Sequence, residues 1–152
     1  HVPIVAGRAV ALGAGAKPEF KVCQQQVVDH AAALADGLVE RGMKLVSGGT
    51  DNHLALVDLR GMGELTGKEL EHRLDEVRIT ANKNKVPGDP RSPFQTSGLR
   101  VGSPAVTSRG FTQADMDQVA EFIALAATDF AANKEKILAG VSALTAAHPI
   151  YR

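Results

Sequence analysis

Apolar residues recur at the spacing of one helical stripe in the first third of the chain. Successive members lie 3, 4, 4, 3 and 4 residues apart, as on one face of an α-helix, and they are Phe20, Cys23, Val27, Ala31, Leu34 and Leu38. Pro18 suits the first helical turn, and Gly42 suits the C-terminal stop. A helix over residues 18–41 would be about 35 Å long. We therefore expect it to run along or out of the domain, with Cys23 as a buried apolar side chain.

Four later segments have strand character, and turn-forming residues separate them. Residues 44–47 and 53–59 flank the turn-forming sequence GGTDN, and a third strand candidate runs from Ile79 to Lys85. The sequence VPGDPRSPF then places three prolines and a glycine within nine residues, which predicts an ordered loop or a flap. Residues 98–102, GLRVG, form the fourth strand candidate.

Two pairs of capping and staple residues mark helix starts in the second half of the chain. The capping pairs are Thr66 with Glu69 and Thr112 with Asp115, and the staple pairs are Leu65 with Leu70 and Phe111 with Met116. The first helix continues through Leu74 and Val77. The inner face of the second helix would use Met116, Val119, Ile123, Ala126 and Phe130. A last helix over residues 134–146 ends before His148-Pro149.

The order of these elements predicts the fold class. A helix, two strands, a helix, a strand, a loop, a strand and two helices favour an α+β fold, an α/β sandwich in which helices cover a small, mostly antiparallel sheet. The length of 152 residues and a hydrophobic content of 44% fit one compact domain. We divide the chain into an N-terminal segment with the long connecting helix, residues 1–42, and a C-terminal small domain, residues 43–152.

Composition excludes several classes of function. Lysine plus arginine equals aspartate plus glutamate at 17 each, so overall charge gives no reason to expect a nucleic acid or a membrane as a partner. The single cysteine excludes an intrachain disulfide and favours a cytoplasmic location. No apolar run approaches the roughly 20 residues of a membrane span. Because the chain lacks an initiator methionine, we expect a fragment of a longer protein.

Common catalytic patterns have weak support. Ser47, His53 and Asp58 could be assembled into a nucleophilic triad, but no strained turn presents the serine. His53 and Asp58 are also poor metal ligands, because an odd spacing of five places them on opposite faces of a strand. Gly48-Gly49 lacks the spacing of a phosphate-binding loop and is better interpreted as a tight turn.

Arg100 is a stronger candidate for a binding residue. It lies between Gly98 and Gly102 and faces away from its apolar neighbours, so its guanidinium could bind a carboxylate or phosphate at two points. A structural salt bridge within the chain is the alternative, which physical reasoning alone favours. Asn84, Ser92 and Phe94 flank the preceding loop with groups able to hold a flat heteroaromatic ligand.

Long motifs now identify a family resemblance. The strings LVSGGTDNHLALVDLR and LTGKELEHRLDEVRITANKNKVPGDPRSPFQTSGLRVGSPAVTSRGF closely resemble the C-terminal part of serine hydroxymethyltransferase, also called glycine hydroxymethyltransferase. AVALGAGAKPEFKVCQQQVV and the final HPIYR extend the resemblance over essentially the whole chain. It implies the small domain of a fold-type-I transferase that depends on pyridoxal phosphate (PLP). Such an enzyme reversibly converts serine and tetrahydrofolate to glycine and 5,10-methylenetetrahydrofolate, as a homodimer or homotetramer in one-carbon metabolism and glycine biosynthesis.

The resemblance assigns roles to individual residues. It implies that Arg100, in TSGLRVG, binds the carboxylate of the amino-acid substrate. It also implies that Asn84, in NKNKVP, and the tripeptide Ser92-Pro93-Phe94 contact the folate. The structural salt bridge is thus no longer the favoured interpretation of Arg100.

The resemblance also implies what this chain lacks. The family's PLP-binding lysine lies in an upstream segment that is absent here, so we assign no catalytic residue and no Schiff-base role to any lysine, namely Lys17, Lys21, Lys44, Lys68, Lys83, Lys85, Lys134 and Lys136. PLP would be bound mainly by a large domain outside this chain. We expect the isolated chain to be inactive, and the exposed part of its long helix to present an apolar patch. The alternative is a free-standing module that binds folate or regulates without catalysis.

Overall fold

The computed structural model describes residues 2–150, which form six helices and four strands. The helices are α1 (Val2–Gly15), α2 (Pro18–Glu40), α3 (Gly67–Glu76), α4 (Pro104–Ser108), α5 (Gln113–Thr128) and α6 (Phe130–Ala147). The strands are β1 (Lys44–Leu45), β2 (Leu54–Asp58), β3 (Asn82–Asn84) and β4 (Gly98–Gly102). Every predicted helix and strand is present, and α1 and α4 are additional.

The four strands form one antiparallel sheet in the order β1-β2-β4-β3. This confirms the predicted α+β class. Both edge strands are shorter than predicted. β3 starts late because α3 ends in an irregular turn, in which Arg78 has a φ of 65° and the Ile79 N–H still donates to Leu74 O.

The core lies between one face of this sheet and the helices. Leu38 of α2, Val57 and Leu99 of the central strands and Ile123 of α5 are almost completely removed from solvent. Burial of apolar surface stabilises such a core by roughly 25 cal/mol per Å². The central strands are therefore held rigidly, and this positions any side chain on their other face.

Only the second half of α2 belongs to this core. Its buried residues begin at Val27, whereas Phe20 is 45% exposed and Cys23 is only partly buried. The expectation of a buried Cys23 was therefore wrong, because no described element covers the first turns of α2. Gly42 stops the helix as predicted, with a φ of 79°. The division of the chain at residue 42 stays a prediction.

The sequence pattern did not predict α1, which follows no amphipathic stripe and has no buried side chain. Its exposed large apolar side chains are Val2, Ile4, Val5, Val10 and Leu12, and those at the start of α2, where an apolar patch was expected, are Phe20 and Val22. Across residues 2–150, no helix is both long and apolar enough to cross a membrane.

The predicted helix caps are present, with one correction, and one residue predicted on the inner face of α5 lies in another helix. Thr112 and Asp115 form a complete capping box at the start of α5, whereas at α3 only the Thr66 side chain accepts, from Glu69 N at 3.0 Å. Phe130 was predicted on the inner face of α5, but it lies in α6 because α5 ends at Thr128.

Candidate functional site

Arg100 lies on the face of the sheet that points away from the core. Side chains alternate along β4, so Leu99 and Val101 are buried while Arg100 is exposed on the other face. Among the described residues, no carboxylate lies within ion-pair distance of Arg100. The alternative of an internal salt bridge is therefore not formed within this part of the chain, and the guanidinium donors are available to a ligand.

Strand register brings Asn84 to the same face as Arg100. Asn82 is the direct partner of Arg100 across the β3–β4 ladder, and Asn84 is the partner of Gly98, two residues away. Side chains in such a diagonal arrangement lie about 7 Å apart. Asn84 donates from Nδ2 to Lys85 O at 2.8 Å, which leaves its Oδ1 free to accept from a ligand.

Asn82 is a neighbour of Arg100 that sequence reasoning missed. Its side chain is exposed, and with His53 and Thr80 it lines an open depression beside Arg100. The signal that could have found it is the alternation in the sequence NKN, which places Asn82 and Asn84 on one face of β3.

The tripeptide Ser92-Pro93-Phe94 forms the tip of the loop that connects β3 to β4. All three residues are exposed, and the Phe94 side chain is 82% exposed. Ser92 O accepts from Gln95 N at 3.1 Å and from Thr96 N at 2.9 Å, which turns the chain back toward β4. The apolar ring and the polar groups of the tip are therefore presented to solvent.

The returning arm of this loop is fastened to the start of α3. Gly67 N donates to Thr96 O at 3.0 Å, and Lys68 N donates to Gln95 O at 2.9 Å. The loop carbonyls thereby satisfy backbone donors that the first turn of a helix leaves without a partner. Thr96 is buried and has a φ of 56°, an unfavourable conformation for a β-branched residue that the surrounding hydrogen bonds hold in place.

A carboxylate that sequence reasoning did not select lies at the centre of the loop. Asp89 Oδ2 accepts from Ser97 N at 2.8 Å and from Val86 N at 3.3 Å. Its Oδ1 accepts from Ser97 Oγ at 2.7 Å and from Arg91 N at 3.0 Å. Burial opposes ionisation, but these four hydrogen bonds together hold the pKa of Asp89 well below its usual range.

A second carboxylate fixes the outgoing arm of the loop through an arginine. Asp58 forms a bidentate pair with Arg60, at 2.9 Å to Nε and 2.8 Å to Nη2, and Arg60 Nη1 donates to Pro87 O at 3.3 Å. The hydrogen bonds from Arg60 lower the pKa of Asp58 to about 2, although burial opposes this.

The low pKa of Asp58 makes the free energy of unfolding depend on pH in the acid range. Because the folded pKa lies below the unfolded value, the stabilisation is complete above about pH 4 and is lost as the pH falls toward 2. We expect Asp58→Asn to lower the free energy of unfolding by roughly 2 kcal/mol at pH 7 and by little at pH 2. Urea titrations followed by circular dichroism suit a chain without tryptophan. An equal loss at both pH values would contradict this account.

The structure does not assemble the weaker candidates. Asp58 is paired with Arg60, and Ser47 Oγ donates to Gly49 O, so neither residue is hydrogen-bonded to His53. Gly48 has a φ of 76° in a turn, as predicted. In the part of the chain that the structure describes, no group of three or more histidine, cysteine or acidic side chains could hold a metal ion.

Comparison with known proteins identifies the family of this chain. Residues 1–123 match the sequence model for serine hydroxymethyltransferase. The chain is also 50% identical over 150 residues to the curated serine hydroxymethyltransferase of Polynucleobacter asymbioticus, a match that covers 97% of this chain and 36% of the relative. The chain thus spans just over a third of the length of that relative. A family match over most of the chain and this degree of identity show that the chain belongs to the serine hydroxymethyltransferase family.

Proposed function

We propose that this chain is the C-terminal small domain of a serine hydroxymethyltransferase and contributes the contacts to the substrate carboxylate and to part of the folate. The whole enzyme would reversibly convert serine and tetrahydrofolate to glycine and 5,10-methylenetetrahydrofolate. The observation that carries the proposal is the exposed Arg100 guanidinium, on a rigid central strand and without an ion-pair partner in the described chain.

In this proposal Arg100 orients the amino acid. A planar guanidinium holds a carboxylate through two parallel hydrogen bonds, which limits rotation of the substrate about its Cα. The position of Arg100 on β4, between buried residues 99 and 101, supports this role because the packing of the strand fixes the direction of the side chain.

The folate contacts would come from the β3–β4 hairpin. Asn84 offers its Oδ1 to the donors of a pterin ring, and the exposed Phe94 ring offers an apolar surface beside the polar groups of Ser92. A loop that is already held in one conformation loses little conformational freedom when a ligand binds, and this favours affinity.

The cofactor would be bound mainly outside this chain. PLP supplies an electron sink for chemistry at the substrate Cα. Four of the described lysines do not suit the cofactor's Schiff-base site, because the Nζ atoms of Lys44, Lys83, Lys134 and Lys136 each lie within 4.0 Å of a carboxylate within this chain. The other four lysines are exposed to solvent. This chain therefore supplies substrate contacts and not the reacting amine.

Exposed apolar side chains on α1 and at the start of α2 support a neighbour that covers them. We propose that the large domain covers these side chains in a cytoplasmic homodimer or homotetramer, since burying them would remove apolar surface from water.

A chimera tests the proposed function. This chain would replace the matching segment of the Polynucleobacter relative, and the relative without that segment would be the negative control. We expect the chimera to bind PLP as a borohydride-sensitive Schiff base and to convert serine in the presence of tetrahydrofolate, and we expect the control to be inactive. A folded, PLP-loaded chimera without this activity would overturn the proposal. The intact mass of the source polypeptide would show separately whether it includes a large domain.

One observation favours the free-standing folate module as a second candidate. The Asp89 and Gly67 hydrogen bonds order the hairpin loop through contacts within this chain alone. Binding of tetrahydrofolate to the isolated 152-residue chain, measured by titration calorimetry without PLP, would support the module. Absence of binding would favour the shared site.

A further inference from the structure

The loop between β3 and β4 folds around a single carboxylate. The four hydrogen bonds to Asp89 come from both arms of the loop, from Val86 and Arg91 on one side of the tip and from Ser97 on the other. No other acidic side chain of the described chain bridges the two arms in this way. The Asp89 carboxylate therefore fixes how the loop closes.

The same carboxylate connects the loop to the strand that carries Arg100. Ser97 donates to Asp89 through both its backbone N–H and its hydroxyl, and it immediately precedes β4. Ser97 O in turn accepts from Leu59 N at 2.8 Å, just beyond the end of β2. Asp89 is thus hydrogen-bonded to a residue that the sheet itself holds, while the tip residues 92–94 lie within the closed loop.

We propose that Asp89 is a positioning residue for the folate-binding tip, one that sets the place of Ser92 and Phe94 relative to Arg100 without touching either substrate. The proposal rests on the proposed function, because it takes the tip to be a folate contact. Weakening the hydrogen bonds to the Asp89 carboxylate should then impair folate binding much more than serine binding. Pairing with β2 and packing of the core hold the strand of Arg100 without help from Asp89.

Substitutions in the chimera separate this role from a general structural one. Asp89→Asn replaces one acceptor oxygen with a donor that faces other donors, and Ser97→Ala removes only the hydroxyl contact. Asp75→Asn is the matched control, because this exposed aspartate carries the same charge and its side chain makes no hydrogen bond within residues 2–150. We expect Asp89→Asn to raise the KM for tetrahydrofolate about tenfold, with Ser97→Ala intermediate and Asp75→Asn unchanged. The KM for serine should stay within about twofold.

A second measurement uses the isolated chain and needs no activity. The bond between Arg91 and Ser92 is a trypsin site inside the loop. We expect Asp89→Asn to accelerate cleavage there about tenfold relative to Asp75→Asn, because the opened loop is more often accessible. An unchanged cleavage rate would show that Asp89 does not hold the loop.

The possible outcomes are distinguishable. Equal increases in the KM values for serine and tetrahydrofolate would indicate general destabilisation and would overturn the positioning role, as would an unchanged folate KM. If the unsubstituted chimera, with PLP bound, does not use tetrahydrofolate, the proposed function fails and this inference fails with it. If the unsubstituted chimera is active and Asp89→Asn has the kinetics of Asp75→Asn, only the inference fails.

Discussion

Replacing Arg100 with alanine in the chimeric enzyme is expected to raise the KM for serine strongly and to impair turnover. Removing one partner of a hydrogen-bonded charge pair costs roughly 2 to 5 kcal/mol, which corresponds to about 30-fold or more in kcat/KM. The strand should remain in place, because the side chain of Arg100 makes no ion pair within the described residues and lies outside the core. Steady-state kinetics with serine as the varied substrate would measure the effect.

Lysine substitutions provide the control for this experiment. Arg100→Lys keeps the positive charge but loses the two-point geometry, so we expect a smaller loss than that of alanine, about tenfold in KM or roughly 1.4 kcal/mol. Arg78→Lys makes the same change at another exposed arginine without an ion pair in residues 2–150, and it should leave the KM for serine unchanged. Normal KM and turnover in Arg100→Ala would show that Arg100 has no part in binding serine.

The isolated chain is expected to lose about 3 kcal/mol of unfolding free energy when Gly67 is replaced with alanine. A Cβ at residue 67 would overlap the Thr96 hydroxyl and the Gly98 carbonyl oxygen, and neither of these can move easily. Gly67 N is bonded to Thr96 O, and Gly98 belongs to the central ladder. The methyl group would therefore push the start of α3 away from the start of β4.

Gly61→Ala is the matched control for Gly67→Ala. An added Cβ at residue 61 meets no atom within 4 Å, and its backbone is not in the left-handed region. We expect a change within about 0.5 kcal/mol for this variant. Urea unfolding followed by circular dichroism would compare the unfolding free energies of the two variants. Equal values would show that the contact of Gly67 with Thr96 and Gly98 can adjust to an added methyl group.

Local sequence signals predicted the elements that depend on local contacts. Thr112 and Asp115 were expected to form a capping box and do so, because both partners lie within one helical turn. Glu69 was expected to complete a similar box, but its carboxylate accepts from Arg73 Nε at 3.0 Å, one turn further along the exposed face of α3. Two local partners competed for one side chain, and sequence spacing could not rank them.

The parts that sequence reasoning missed depend on contacts formed only after the chain folds. Asp89 accepts hydrogen bonds from residues on both sides of a loop, and no periodic pattern marks such a convergence. The stripe through Phe20 and Cys23 was correct as a helical pattern, yet it could not reveal that no described element covers these residues. Strand alternation alone separates Arg100 from Leu99 and Val101, but only the family resemblance favoured a substrate role over a structural salt bridge.

The strand register that places Arg100 and Asn84 on one face of the sheet also determines which side chains form the core. Asn82, Asn84 and Arg100 lie on the outward face of β3 and β4, whereas Leu99 and Val101 face the core. A slip of β4 by one residue would therefore bury a guanidinium and expose two core side chains in a single step. The fold as a whole could not accommodate such a slip, so the outward surface that carries Arg100 and the hydrophobic core depend on the same strand register. Substitutions can change the side chains on this surface, but a change of strand register cannot remove the surface while the domain stays folded.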